Sequence, residues 1–200
     1  MITAHSESEV RIDWRLPNYT RSILAENHKA LFRRWKIARS TELFDPRVLS
    51  RWFPGQRGLL DLLAVLSEEE VLRVADTKAP LFTMTLHDGL RPAASAARVQ
   101  PGEFEAANRQ EAFMALSVRL DAIRTSTEQA CVQFDMSASD ANFLGRMGPH
   151  DLWDVAANPT AVLIPAASDQ FFSVAAAREM TAAQRTLYMG VSKRSKDSVH

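Results

Sequence analysis

Cysteine is nearly absent: Cys131 stands alone among 200 residues, so no internal disulfide can form, and the chain reads as one made for a reducing compartment. Net charge is also missing, because 24 lysines and arginines meet 24 aspartates and glutamates. No global positive field would draw this protein to a nucleic acid or an anionic membrane, and any such binding must come from local patches. Long apolar runs are lacking too. Leu59 to Leu66 is broken by Asp61 and Ala161 to Ala167 by Pro165, and both are far too short to span a bilayer. Residues 1–13 carry His5, Glu7, Glu9 and Arg11 where a secretory signal needs an apolar stretch, so a soluble, cytoplasmic protein is expected.

With seven glycines there is little room for a phosphate-cradling loop, and neither a glycine-rich loop nor a Gly-x-Ser-x-Gly motif is present. The five histidines, His5, His28, His87, His150 and His200, are scattered singly, without metal-ligand spacing. His150 and Asp151 are adjacent, which on a helix points them about 100° apart, too far to orient one another as an acid-base pair. These absences argue against an enzyme, a metal site or a cofactor.

What the chain does have is helical patterning. Residues 1–20 are polar, end at Pro17-Asn18 and read as a flexible arm. From Arg21, the positions Ile23, Leu24, Leu31, Phe32, Trp35 and Ile37 fall near helical spacing, with Arg33, Arg34, Lys36 and Arg39 interleaved, so an amphipathic helix with a basic side is predicted. After Gly58 a leucine-dense stretch to Leu66 predicts a short buried helix. Ser67-Glu-Glu-Glu then predicts a capping box and a second short helix running to Thr77. Leu81 to Leu86 suits an extended piece, residues 89–102 a connector, and residues 103–124 a long helix with Phe104, Ala112, Phe113, Leu116, Leu120 and Ile123 on its buried side.

The later part of the chain replays this order. At a spacing of 81 residues Leu62 and Leu63 meet Phe143 and Leu144, Glu70 meets Asp151, Val74 and Ala75 meet Val155 and Ala156, and Phe82 meets Leu163. Farther upstream Phe53 meets Phe134, Phe32 meets Phe113 and Asn27 meets Asn108. A second echo sets Phe113-Met-Ala-Leu-Ser-Val-Arg119 over Tyr188-Met-Gly-Val-Ser-Lys-Arg194, 75 residues on. Two units are therefore expected, residues 21–102 with the connector and residues 103–194, followed by a tail at 195–200.

Leu66-Ser67 to Val74-Ala75-Asp76-Thr77, then Leu81 to Leu86, then Met114-Ala115-Leu116-Ser117-Val118-Arg119-Leu120 resemble the pattern of the FlhD family, subunits of a flagellar transcription activator, and related activators of conjugative elements. The likeness covers roughly residues 27–194, through short, mostly core-forming motifs. It implies a mainly α fold in which two FlhD-like units in tandem form a pseudo-dimer, with a short extended segment in each. Leu81, Phe82, Met84, Val162, Leu163 and Ile164 would lie at the contact between units. The family protein is a single homodimerising unit with a cysteine in the extended run. Phe82 and Leu163 stand there in this chain, so a disulfide link does not carry over.

The resemblance also implies regulation of transcription through DNA binding, together with a zinc-binding, FlhC-like partner. Arg33, Arg34, Lys36 and Arg39, and the run Lys193, Arg194 and Lys196, are the candidate phosphate contacts, each with a solvated helix face or solubilising tail as its plain alternative. The helix pair around Ser67 opens on three glutamates that would repel phosphate, so it is expected to serve as core or dimer contact rather than as a recognition helix. The alternative function is a protein interaction factor that does not touch DNA, such as an anti-activator or secretion adaptor. Neutral charge favours the alternative and the family pattern the first. Whether the chain self-associates stays open.

Overall fold

The structure, a computed structural model, describes residues 18–40, 53–84, 86, 102–158 and 160–192. Residues 1–17 of the arm, most of the connector and the C-terminal run Lys193, Arg194 and Lys196 lie outside the described residues, while residues 18–20, expected in the arm, already belong to the first helix. Helices dominate, and the one sheet among the described residues has two short strands. No helix is long and apolar enough to cross a membrane among the described residues.

Two long helices form the frame, α1 (Asn18–Arg39) and α4 (Glu103–Thr125). Neither has an internal proline or glycine, so the backbone ladder runs unbroken. Between them come α2 (Arg57–Val65) and α3 (Glu68–Ala75). Leu66 turns extended and ends α2, and Ser67 opens α3 with the predicted capping box: its hydroxyl accepts from the Glu70 amide, and the Glu70 carboxylate accepts from the Ser67 amide at 2.8 Å.

Beyond α4 lie α5 (Thr127–Phe134), α6 (Ala138–Gly145), α7 (Pro149–Ala156), α8 (Asp169–Ala175) and α9 (Ala182–Val191). Local chemistry again sets the boundaries. Ser137 and Thr181 cap α6 and α9, Asp135 ends α5 in the left-handed region at φ 53°, and Pro149 occupies the first turn of α7, where a missing N–H costs nothing. The Asp151 carboxylate accepts from the Gly148 amide at 2.9 Å, so His150-Asp151 is a helix start. The starts of α2 and α3 precede those of α6 and α7 by 81 residues, the spacing at which the apolar pattern aligns.

Strand β1 (Phe82–Thr83) pairs antiparallel with β2 (Ile164–Pro165), Phe82 opposite Pro165 and Thr83 opposite Ile164. The extended segments are thus shorter than the runs the sequence suggested. Their residues are buried at Leu81, Phe82, Met84 and Leu163, and half-buried at Val162 and Ile164. Around this ladder the apolar faces of all nine described helices meet in one continuous cluster, which includes Leu31, Leu63, Val74, Leu116, Leu144, Val155 and Phe172. The α3 helix gives Val71, Val74 and Ala75 to it, as expected of a core element. Cys131, on α5, is half-buried with its thiol directed at the Ser137 carbonyl, 3.9 Å away.

Candidate functional site

The interface between α1 and α4 holds five charges. Arg34 is 1% exposed and fully engaged: Nε donates to Gln56 Oε1 (2.7 Å), Nη1 to Glu111 Oε1 (2.8 Å) and the Ala30 carbonyl (3.0 Å), and Nη2 to the Leu163 carbonyl (3.0 Å). Arg119, on α4, is equally buried. Its Nη1 donates to Glu26 Oε2 (2.9 Å) and the Ala115 carbonyl (2.8 Å), and its Nη2 to the Phe82 carbonyl (3.1 Å). Each guanidinium thus takes a carboxylate from the opposite long helix, a carbonyl four residues back on its own, and a carbonyl beside the strand pair. Each also lies over a phenylalanine ring, Arg34 over Phe53 at 5.0 Å and Arg119 over Phe134 at 4.8 Å.

Burial dominates the electrostatics of this cluster. Desolvation raises the Glu26 carboxyl above its ordinary range, against the pull of Arg119. Arg33, half-buried, donates to Glu111 at 3.1 Å and to Asn108 Oδ1; burial lowers its affinity for the proton while Glu111 opposes the loss. Every buried charge here has a charged partner and hydrogen bonds, as a structural brace requires.

The expected basic side of α1 is therefore divided. Arg34 turns into the core, which corrects its assignment as a phosphate contact: it cannot meet a phosphate without leaving four hydrogen-bonding partners. Arg33 is largely spent on Glu111. Lys36 and Arg39 are exposed, Arg39 lying over the Trp35 ring at 5.2 Å. Lys29, which the sequence reading left out, is exposed seven residues before Lys36 and so on the same face. Half-buried Arg21 continues that stripe toward the helix start. Glu26, the only carboxylate on α1, is buried, so the outer stripe carries cations alone on this helix.

Sequence reasoning missed the brace. A signal was present, since both long helices carry Glu-x7-Arg (Glu26 and Arg34, Glu111 and Arg119) with the arginine on the apolar side. The residues aligned at 81 make different contacts upstream: Asn27 and Asn108 have different partners, whereas Arg34 and Arg119, 85 residues apart, have similar ones. Asn27 fastens the segment before β1, donating to the Thr77 and Ala79 carbonyls (2.8 and 2.9 Å) and accepting from the Leu81 amide (2.9 Å). Asn108 accepts from Arg33. The echo between residues 113–119 and 188–194 joins the middle of a 23-residue helix to the end of a 10-residue one, and Arg194 lies outside the described residues.

No group of three or more His, Cys, Asp or Glu could hold a metal ion among the described residues. The chain matches no family model, no curated protein and no solved structure.

Proposed function

We propose that the chain is a covalent counterpart of a two-fold FlhD-like dimer and serves as a subunit of a transcription regulator, touching DNA phosphates through the outer face of α1 while an FlhC-like partner supplies further contact. The architectural half of this reading is supported by the matched surroundings of Arg34 and Arg119, and by the strand register. Thr83 lies opposite Ile164, its own counterpart at a spacing of 81 residues, as a two-fold axis through that pair requires. Residues 18–39 and 103–124 then correspond at 85, and the four extra residues fall between α1 and α2.

The functional half is carried by one observation, the cation-only outer stripe of α1. Lys29, Lys36 and Arg39 span ten residues, about 15 Å of helix, a length that can follow several phosphates. The matched positions on α4 are Met114, Asp121 and Arg124, so only one face of the pair is suited to a polyanion.

The test is a mobility-shift assay with DNA from upstream of neighbouring operons, with and without an FlhC-like partner, over a salt series. Lys29→Ala, Lys36→Ala and Arg39→Ala together should lower the slope of log affinity against log salt by about 2.7, at roughly 0.9 per phosphate contact. A second reading, a protein interaction factor with no DNA contact, is favoured by the zero net charge and the inward-turned Arg33 and Arg34. No shift under any partner condition would select it.

A further inference from the structure

Helices α8 and α9 present an outward face without charge. The Ser168 amide donates to the Ser192 carbonyl at 3.3 Å, so the start of α8 lies beside the end of α9, and the Phe171 and Tyr188 rings stack between them at 5.7 Å. At about 100° per residue, Ala183, Leu187, Gly190 and Val191 fall within about 100° of the α9 circumference, and Gln170, Ser173 and Val174 within a similar arc of α8. All seven are exposed, Leu187 at 74% and Val191 at 85%. Phe171 and Tyr188 each stand about 110° from these arcs in the same rotational sense, and because the helices run antiparallel both arcs open to one side.

The charges of this region turn elsewhere. Asp169 sits against Gly58 on α2, Arg178 lies 4.0 Å from Glu69 on α3, Arg185 is buried, and Glu179 is in the turn that joins the two helices. Lys78 flanks the far rim of α9, where its amide donates to the Thr186 hydroxyl at 3.1 Å. Val65 and Val132 are as exposed as Leu187 and Val191, but each has an exposed carboxylate one turn back, Asp61 and Glu128. Gly190 adds a second observation. A Cβ there would meet nothing within 4 Å, so no described neighbour in the chain requires glycine inside this helix, where glycine costs stability. What glycine offers there is close approach from outside.

We propose that this face joins two copies of the chain across a two-fold axis, α9 against α9 antiparallel, with Leu187 of each copy over Gly190 of the other. An isologous contact sets a patch against itself, so a face of one charge repels its copy and this one does not. The antiparallel arrangement also keeps the two turns that carry Arg178 and Glu179 at opposite ends of the contact. A cationic or anionic partner finds no charge on this face to recognise. With α9 about 15 Å long and two adjacent helices about 20 Å wide, each copy offers about 300 Å² in projection, short of the roughly 800 Å² per partner of a standard interface. The dimer is accordingly weak and reversible. It stands apart from the α1 reading, since α1 contributes nothing to this face.

The test is sedimentation of the full chain over a concentration series. A monomer–dimer equilibrium is expected, with a dissociation constant between about 1 μM and about 1 mM. Leu187→Glu/Val191→Glu should raise that constant about tenfold or more. Gly190→Leu discriminates further: it adds apolar surface in open space, so non-specific association would strengthen, whereas a helix packed over Gly190 is pushed off and the constant rises, again about tenfold or more. Lys29→Ala/Lys36→Ala/Arg39→Ala should dimerise as the parent does. If the glutamate variant loses its helical circular dichroism, Gly190→Leu decides alone. A monomer at every concentration up to about 1 mM, a dimer undisturbed by either variant, or tighter association in Gly190→Leu would overturn the proposal. So would flotation of the chain with phosphatidylcholine vesicles that the glutamate variant abolishes, which assigns the face to lipid. Loss of DNA binding with the dimer intact would sink the α1 reading only.

Discussion

Arg119→Ala tests the brace most directly. The substitution leaves the Glu26 carboxylate inside the α1–α4 interface without its main partner, and strips the Ala115 and Phe82 carbonyls of a donor. Breaking a buried ion pair by removing one side costs about 3–5 kcal/mol. For a chain of this size 1 kcal/mol corresponds to roughly 2–4 °C, so Tm should fall by about 6–20 °C. The loss should depend on pH. Burial already holds the folded Glu26 carboxyl above its ordinary value near 4.5. A raised folded value means that the contribution to stability is complete below the unfolded value and is lost as pH rises through the folded one. Removing Arg119 takes away the strongest opposing pull, so the folded value climbs further and the penalty should grow between pH 5 and pH 8. Urea denaturation at both ends of that range reads the effect, and Glu26→Gln in the Arg119→Ala background should remove most of the pH dependence. A cost below about 1 kcal/mol at pH 7.5, or one that does not vary with pH, would refute a buried charged brace.

Two further outcomes follow from packing. Asn27→Ala should cost roughly 3 kcal/mol in urea denaturation, because it leaves the Leu81 amide and two carbonyls without partners beside β1, at about 1–3 kcal/mol for each buried group unsatisfied. Gly58→Ala sets helix propensity, worth about 1 kcal/mol in favour of alanine, against a Cβ that would run into Asp169 Oδ2. Thermal denaturation should register a loss for Gly58→Ala, and the double variant Gly58→Ala/Asp169→Ala should lose less than the two single losses added together.

Much of the local structure was legible in the sequence, because its causes are local. Ser67 and Glu70, three residues apart, fix the start of α3 wherever that segment packs, and Pro149 does the same for α7. The 81-residue recurrence of leucines and breakers placed α2 and α3 against α6 and α7 to within a residue. Upstream of α2 the pattern is ambiguous: the aromatic residues align at 81, while the two buried arginines with similar partners, Arg34 and Arg119, stand 85 apart, one helical turn farther. A slip of one turn keeps apolar positions on the same face, so periodicity alone cannot detect it.

The fate of the arginines was beyond the sequence for a different reason. Arg33, Arg34, Lys36 and Arg39 look alike as a basic run, and helical spacing separates their directions without saying which direction meets protein. Only the approach of α4 puts Glu111 beside Arg34 and Glu26 beside Arg119, across 77 and 93 residues of chain. The sequence by itself determined that the chain is mainly helical and where its capped helices α3 and α7 begin. The tertiary structure decided which charges lie inside, because a guanidinium can be buried only where a carboxylate and carbonyls from distant segments converge to replace the water it gives up.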